Sequence, residues 1–203
     1  MKKTKKAATV DAARRIDRAA AVGEVLRSRW SPKLFSARDV DEKAVAGLFE
    51  SARWAASSFN EQPWNFIVAR RAREPEFSRM LDILFERNRD WAQHAPLLIL
   101  TVARTISPKT GAVNVSSLYE LGLAVGNLTA QAVADGMQVH QMGGFDRAKA
   151  RETFHIPAGF DPAAVIAVGY PDEAPHIRER KPLKEFVFEE EWGRAADAVQ
   201  ARD

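Results

Sequence analysis

The sequence predicts one α+β domain, and three observations carry that expectation. Short apolar runs suited to strands (Phe66 to Ala69, Leu97 to Val102 and Ala163 to Val168) alternate with stretches whose apolar residues recur at helical spacing. Gly111 to Ala134 holds a single charged residue, Glu120, as expected of a long buried helix. With 203 residues, 46% hydrophobic and 28% charged, the chain can bury one sizeable core, and no internal repeat or Gly/Ser linker divides it.

The boundaries follow from charge. Residues 1–18 hold seven basic side chains against Asp11 and Asp17, a net of +5, so with the whole chain at +3 the remainder is at −2. The basicity belongs to an N-terminal tail, read as a solvated end, and the body lacks a basic stripe. Nucleic acid is therefore not expected as a partner, although a binder acting through the lysine tail stays open as a rival reading. The domain is expected over residues 19–192, with 193–203 as a second tail. No apolar run follows the lysines, so no secretory signal is read. The absence of cysteine excludes a disulfide framework, a thiol nucleophile and a Cys-ligated metal, and fits a cytoplasmic location.

Along the chain, Arg14 to Trp30 carries a helical stripe that delivers Arg29 into a loop, and Pro32 stops regular structure. Asp39 or Asp41 caps the next helix, whose residues 45, 48, 49 and 52 form one buried face. A helix follows Pro75 with Phe77, Met80, Leu81, Leu84 and Phe85 on one face, while residues 86–94 are polar apart from Trp91 and Ala92. Residues 104–116 read as a mobile loop and a candidate lid. The following helix is long enough for a membrane span, but Glu120, Asn127, Thr129, Gln131 and three glycines argue for burial in protein, in the core or a dimer interface. Asp135-Gly136 ends it, Met137 to Gln141 is extended, and Gly143-Gly144-Phe145-Asp146 turns into a short helix. Past Pro175 an arm with Phe186, Val187 and Phe188 docks on the chain itself or on a partner subunit.

Common catalytic constellations are missing. His94, His140, His155 and His176 lack metal-ligand spacing, and there is no nucleophile elbow, Walker loop or dinucleotide fingerprint. The stretch Trp54 to Ile67 is different: two hydroxyls, two amides and a proline lie between aromatic anchors, chemistry suited to a planar polar ligand. Arg29, Ser31 and Lys33 fall at alternate positions, so an extended backbone puts them on one face toward a single anion; Arg178 and Arg180 repeat that spacing.

Four segments together carry a family resemblance: Arg29-Trp-Ser-Pro-Lys-Leu-Phe35, Ala56-Ser57-Ser58-Phe59-Asn60-Glu61-Gln62-Pro63-Trp64, Gly143-Gly144-Phe145-Asp146 and Arg178-Glu-Arg180. In that order, over residues from about 25 to 192, the chain resembles the FMN-dependent nitroreductase family. The resemblance implies a mixed, mainly antiparallel sheet flanked by helices, with a long buried central helix and a C-terminal arm exchanged in a homodimer. It implies two FMN sites at the subunit interface, each built from both chains. By that likeness Arg29, Arg178 and Arg180 hold the FMN phosphate, Ser31 the ribityl-phosphate region, and Lys33 the pyrimidine edge of the ring. Ser57, Ser58 and Asn60 line the ring, the backbone at Gly143 and Gly144 faces N5, and Asn88 is a further contact. Trp30, Ala56 and Gln62 belong to the same binding segments. Two positions depart from the pattern: Ala56 stands where the family usually has proline, and Gly143 where some members carry an acidic residue.

The implied reaction is hydride transfer from NADH or NADPH through flavin N5 to a small electron-poor acceptor, a nitroarene, quinone or activated enone, by a ping-pong mechanism. Rival readings are a relative that cleaves the flavin ring or dehalogenates its substrate, and an FMN-binding protein without turnover.

Overall fold

A computed structural model describes residues 22–176 and 178–200. They fall into two compact units, Ser28–Pro175 and the terminal segments on either side of it. The basic tail and most of the predicted Arg14 to Trp30 helix lie outside the described residues; within them, α1 is Glu24–Ser28.

The larger unit is built on a four-stranded antiparallel sheet, β1 (Trp64–Arg70), β2 (Leu97–Arg104), β3 (Gln138–Met142) and β4 (Phe160–Gly169), in the order β1-β2-β4-β3. Leu97 to Ala103 is buried throughout, as a central strand covered on both faces requires. Leu98, Leu100 and Val102 point to one face and Leu97 and Ile99 to the other, following the two-residue period. The β2–β4 register shifts between Thr101 and Val102. There the buried Thr101 hydroxyl donates to Ala164 O at 2.9 Å and accepts from Ala164 N at 3.0 Å, satisfying groups the irregular ladder would otherwise leave unpaired.

One face is covered by α3 (Glu76–Asp82), α4 (Glu86–Ala92) and α6 (Arg147–Thr153), through Phe77, Met80, Trp91, Ala92 and Ala150. The other is covered by α2 (Glu42–Arg53) and α5 (Ser117–Ala134), through Val45, Leu48, Ala52, Ala124, Leu128 and Ala132. Asp41, rather than Asp39, caps α2: its side chain accepts from Ala44 N at 2.8 Å. Helix α4 is an addition to the sequence-based expectation. Its seven residues contribute only Trp91 and Ala92 to the core, too few to show helical periodicity.

Helix α5 begins at Ser117 instead of Gly111 because Gly111, at φ +71°, and Asn114, whose side chain accepts from Ser116 N at 3.0 Å, first turn the chain. It ends as expected. Gly136, at φ +77°, donates to Val133 O at 3.0 Å and Met137 donates to Ala132 O at 2.8 Å, the paired bonds of a Schellman motif. While Leu121, Ala124, Val125 and Leu128 are buried, Leu118, Tyr119, Gly122 and Gly126 on the same helix are exposed. No helix among the described residues is long and apolar enough to cross a membrane.

In the smaller unit, the stretch expected as a tail from residue 193 carries α7 (Asp197–Gln200). Phe188 pairs with Ala195, its ring lies 4.9 Å from that of Trp192, and Ala196 is buried; Phe186 and Trp192 remain exposed.

Leu128 sits fully buried between α5 and the sheet. Leu128→Ala should cost about 2–5 kcal/mol of unfolding free energy, measured by urea denaturation, because it removes buried methyl groups and leaves a cavity the helix cannot close.

Candidate functional site

The residues singled out in the larger unit form two groups on opposite edges of the sheet. The first lies along β3, the outer edge beside β4. Gln138, nearly buried, holds the backbone on both sides of Arg29: its Oε1 accepts from Trp30 N and its Nε2 donates to Ser28 O, each at 3.0 Å. Two residues on and on the same face of β3, His140 Nδ1 lies 2.8 Å from Pro32 O, and a carbonyl can only accept, so Nδ1 carries the proton. Glu173 completes the clamp, accepting from Lys33 N at 2.6 Å and Leu34 N at 3.0 Å through one oxygen. With its backbone fixed this way, the segment buries the Trp30 side chain and turns Arg29, Ser31 and Lys33 outward. Arg29 Nη1 donates to Ser31 Oγ at 3.2 Å, as alternate positions on one face allow. Among the described residues, no carboxylate pairs with the side chain of Arg29 or Lys33.

At the other end of β3, roughly 13 Å away by strand rise, the chain passes through Gly143 and Gly144. A Cβ on Gly143 would meet open space, whereas one on Gly144 would stand 2.6 Å from Asn88 Nδ2. Asn88, on α4, donates to Gly144 O at 3.0 Å, and Phe85 N donates to the same carbonyl at 3.2 Å. Asn88 thus supports the glycine turn, which only glycine at 144 lets it approach.

The second group precedes β1 on the opposite edge. Ser58–Asn60 forms a 3₁₀ turn, and Phe59 and Asn60 within it and Gln62 just after it all have positive φ, at 50°, 54° and 48°. Three such non-glycine residues in four positions need support from outside the turn. Ser57 Oγ accepts from Gln62 N at 3.0 Å. Arg104 Nη2 donates to Glu61 O at 2.6 Å, and Lys109 Nζ to Phe59 O at 2.8 Å. Ser107 Oγ donates to the Glu61 carboxylate, and Glu120, on α5, accepts from Ser58 N at 2.7 Å. The stretch 104–116, expected as a free lid, is instead latched to this turn. Ala56, Ser58, Asn60 and Gln62 are exposed, Ser57 half-exposed. Trp64 packs against the core as an anchor, but Trp54 is exposed and bonds Glu50 through Nε1 at 3.0 Å.

The model of the nitroreductase family matches residues 26–170. The chain belongs to the nitroreductase family. A solved oxidoreductase containing FMN is 27% identical, with a TM-score of 0.80 over 86% of this chain and 94% of its own. A nitroreductase family protein from Streptococcus pneumoniae TIGR4 shares the fold at 24% identity and a TM-score of 0.71, over 82% and 98% of the two chains. An uncharacterized 15.4 kDa protein of Mycolicibacterium smegmatis is 32% identical over 146 residues, 63% of this chain and 97% of the other.

On this nitroreductase-fold sheet, three strand-to-strand steps of about 4.8 Å set the two residue groups on the order of 14 Å apart. One chain does not bring them together. Arg178 and Arg180 lie in the smaller unit, both exposed, with Arg180 Nη1 donating to Arg178 O at 3.1 Å. A cavity of about 440 Å³ between α6, the start of β4 and Leu118 contains none of the predicted residues. Its Arg151 is occupied by Asp161 and by the Ile156, Pro157 and Phe160 carbonyls. Gln138, Glu173 and Arg104 escaped the sequence reading because they bond to backbone, and no spacing announces such a bond. Glu120 did leave a signal, as the lone charge in an apolar stretch.

Burial lowers the pKa of His140 below the ordinary histidine value; its bond to Pro32 O acts in the opposite direction, and the Lys33 charge lowers it further. The unfolded chain therefore takes up a proton at higher pH than the folded one. His140 contributes stability that is fully present above its unfolded pKa, near 6.5, and is lost as pH falls toward the folded value. Melting temperatures should drop between about pH 7 and pH 5, and His140→Asn should flatten part of that drop. Parallel curves for the two proteins would contradict it.

Proposed function

We propose that this chain is an FMN-dependent oxidoreductase of the cytoplasm that works as a homodimer, passing hydride from NADH or NADPH to a small electron-poor acceptor such as a nitroarene, quinone or activated enone. The observation that carries the reading is the Arg29-to-Lys33 segment: two cations and a hydroxyl, uncompensated by carboxylate and held on a fixed backbone, at one end of a strand whose other end is an open glycine turn. That donor set fits a phosphate at one end and a planar ring at the other, which are the two ends of FMN. FMN itself, when bound, supplies the hydride chemistry at N5.

The chain's residues do the rest. Arg29 and Ser31 bind the phosphate; Lys33 offers a positive charge to the pyrimidine edge, favouring the electron-rich reduced ring. Gly143 leaves the ring face uncovered, while Ser57, Ser58 and Asn60 supply the polar wall. In the proposed homodimer the wall comes from a second copy. The exposed Leu118, Tyr119, Gly122 and Gly126 face of α5 supports such pairing, since small residues let two helices approach closely.

Purified protein should be yellow or become so with added FMN; a chain that binds no FMN would sink the reading. Arg29→Ala should weaken FMN about tenfold or more by removing a charge-assisted contact, yet leave riboflavin, which lacks the phosphate, nearly unchanged. Mixing Arg29→Ala with Asn60→Ala protomers should restore up to about a quarter of the wild-type sites, because a heterodimer holds one intact site in two. No gain on mixing, despite confirmed subunit exchange, would place both groups in separate sites.

A further inference from the structure

Glu120 is the chemically unexpected group of the larger unit. It is 3% exposed, in the first turn of α5 on the face turned toward the sheet, and the proposed chemistry gives it no task. Both of its oxygens are engaged: Oε1 accepts from Ser58 N at 2.7 Å and Oε2 from Asn114 Nδ2 at 3.4 Å. A buried carboxylate persists where its bonds secure something specific, since an apolar side chain would cost less to bury. What it secures is the backbone N–H at the head of the turn whose next residues, Phe59, Asn60 and Gln62, sit at positive φ. Ser58 itself is exposed and Phe59 is 84% exposed, so this amide is held although the turn around it faces solvent.

We infer that Glu120 is a positioning residue: by holding the Ser58 amide from inside the core, it presets the Ser57–Gln62 turn in its binding conformation before any ligand arrives. The turn is cross-braced on its other side by Arg104 and Lys109, which bond to the Glu61 and Phe59 carbonyls. Arg104 reaches the turn part-buried from the end of β2, and Lys109 reaches it from the surface. Among the described residues, Glu120 is the side chain of the long helix that bonds to the turn. The inference rests on the flavin reading only for the identity of the ligand; the preset turn is a property of the ligand-free chain.

The test therefore has two arms. In wild-type protein stripped of ligand, the Ser58 amide should exchange with deuterium at least about tenfold more slowly than in Glu120→Leu, while Glu120→Gln, which keeps a carbonyl oxygen at Oε1, should stay close to wild type. In the second arm, Glu120→Leu should weaken FMN and riboflavin by the same factor, about tenfold or more, because the turn serves the ring and not the phosphate. Equal ligand affinities in wild type and a folded Glu120→Leu would overturn the inference, as would a loss confined to FMN. If Glu120→Leu does not fold, unprotected Ser58 in the wild-type ligand-free protein overturns it unaided. Failure of wild type to bind either ligand would instead remove the flavin reading and leave the exchange arm standing.

Discussion

The hydrogen-bonded width of the sheet is the constraint on which the rest of this molecule depends. β2 and β4 pair along eight residues each, with the shift at Thr101 internally satisfied, and β2 from Leu97 to Ala103 and β4 from Val165 to Gly169 are buried throughout. A ladder held on both sides by packed helices does not narrow or fold. Whatever is fixed at the β1 edge and whatever is fixed at the β3 edge therefore stay apart. The two groups are therefore separate structural problems within the protomer, each solved at its own edge.

Within each edge the same device recurs. Gln138, His140 and Glu173 bond to the main chain of residues 28–34, and Glu120, Arg104 and Lys109 bond to the main chain of residues 58–61. The supporting side chains consume backbone groups and leave the side chains of Arg29, Lys33 and Asn60 outward. Segments with no regular hydrogen-bond ladder of their own acquire fixed shape in this way, at the cost of burying polar groups such as Gln138 and Glu120. The ordering entropy of each segment is then met at folding, and a ligand does not meet it again.

That division also explains which parts were readable from sequence. The strands at Phe66, Leu97 and Ala163, the cap at Asp41 and the stop at Gly136 are local: each follows from period, branching or a required φ, and each stands where expected. The motif residues were readable because their types are unusual for a connector. Helix α4 was not, since two core contacts in seven residues give no period. The latch of residues 104–109 onto the Ser57–Gln62 turn was not, because Gly, Pro and Ser composition reports local freedom and says nothing of a long-range bond from Lys109 or Ser107. Nor could spacing along one chain show that two adjacent motifs in a family's order would stand on opposite edges.

Charge follows the same geography. On the β3 edge, no carboxylate among the described residues pairs with the side chains of Arg29 or Lys33, and burial and the Lys33 charge lower the pKa of the histidine beneath them. A charged His140 would add a third positive group under the segment and be repelled by Lys33. The imidazole donates to Pro32 O through Nδ1 and packs against the Trp91 ring, 4.4 Å away, while the two outward cations set the field at the surface. On the β1 edge the arrangement is inverted: Glu120 lies inside, with its oxygens bonded to the Ser58 amide and to Asn114 Nδ2. Outward cations thus mark the β3 edge, while at the β1 edge the cations Arg104 and Lys109 are turned onto backbone carbonyls and serve to fix the turn.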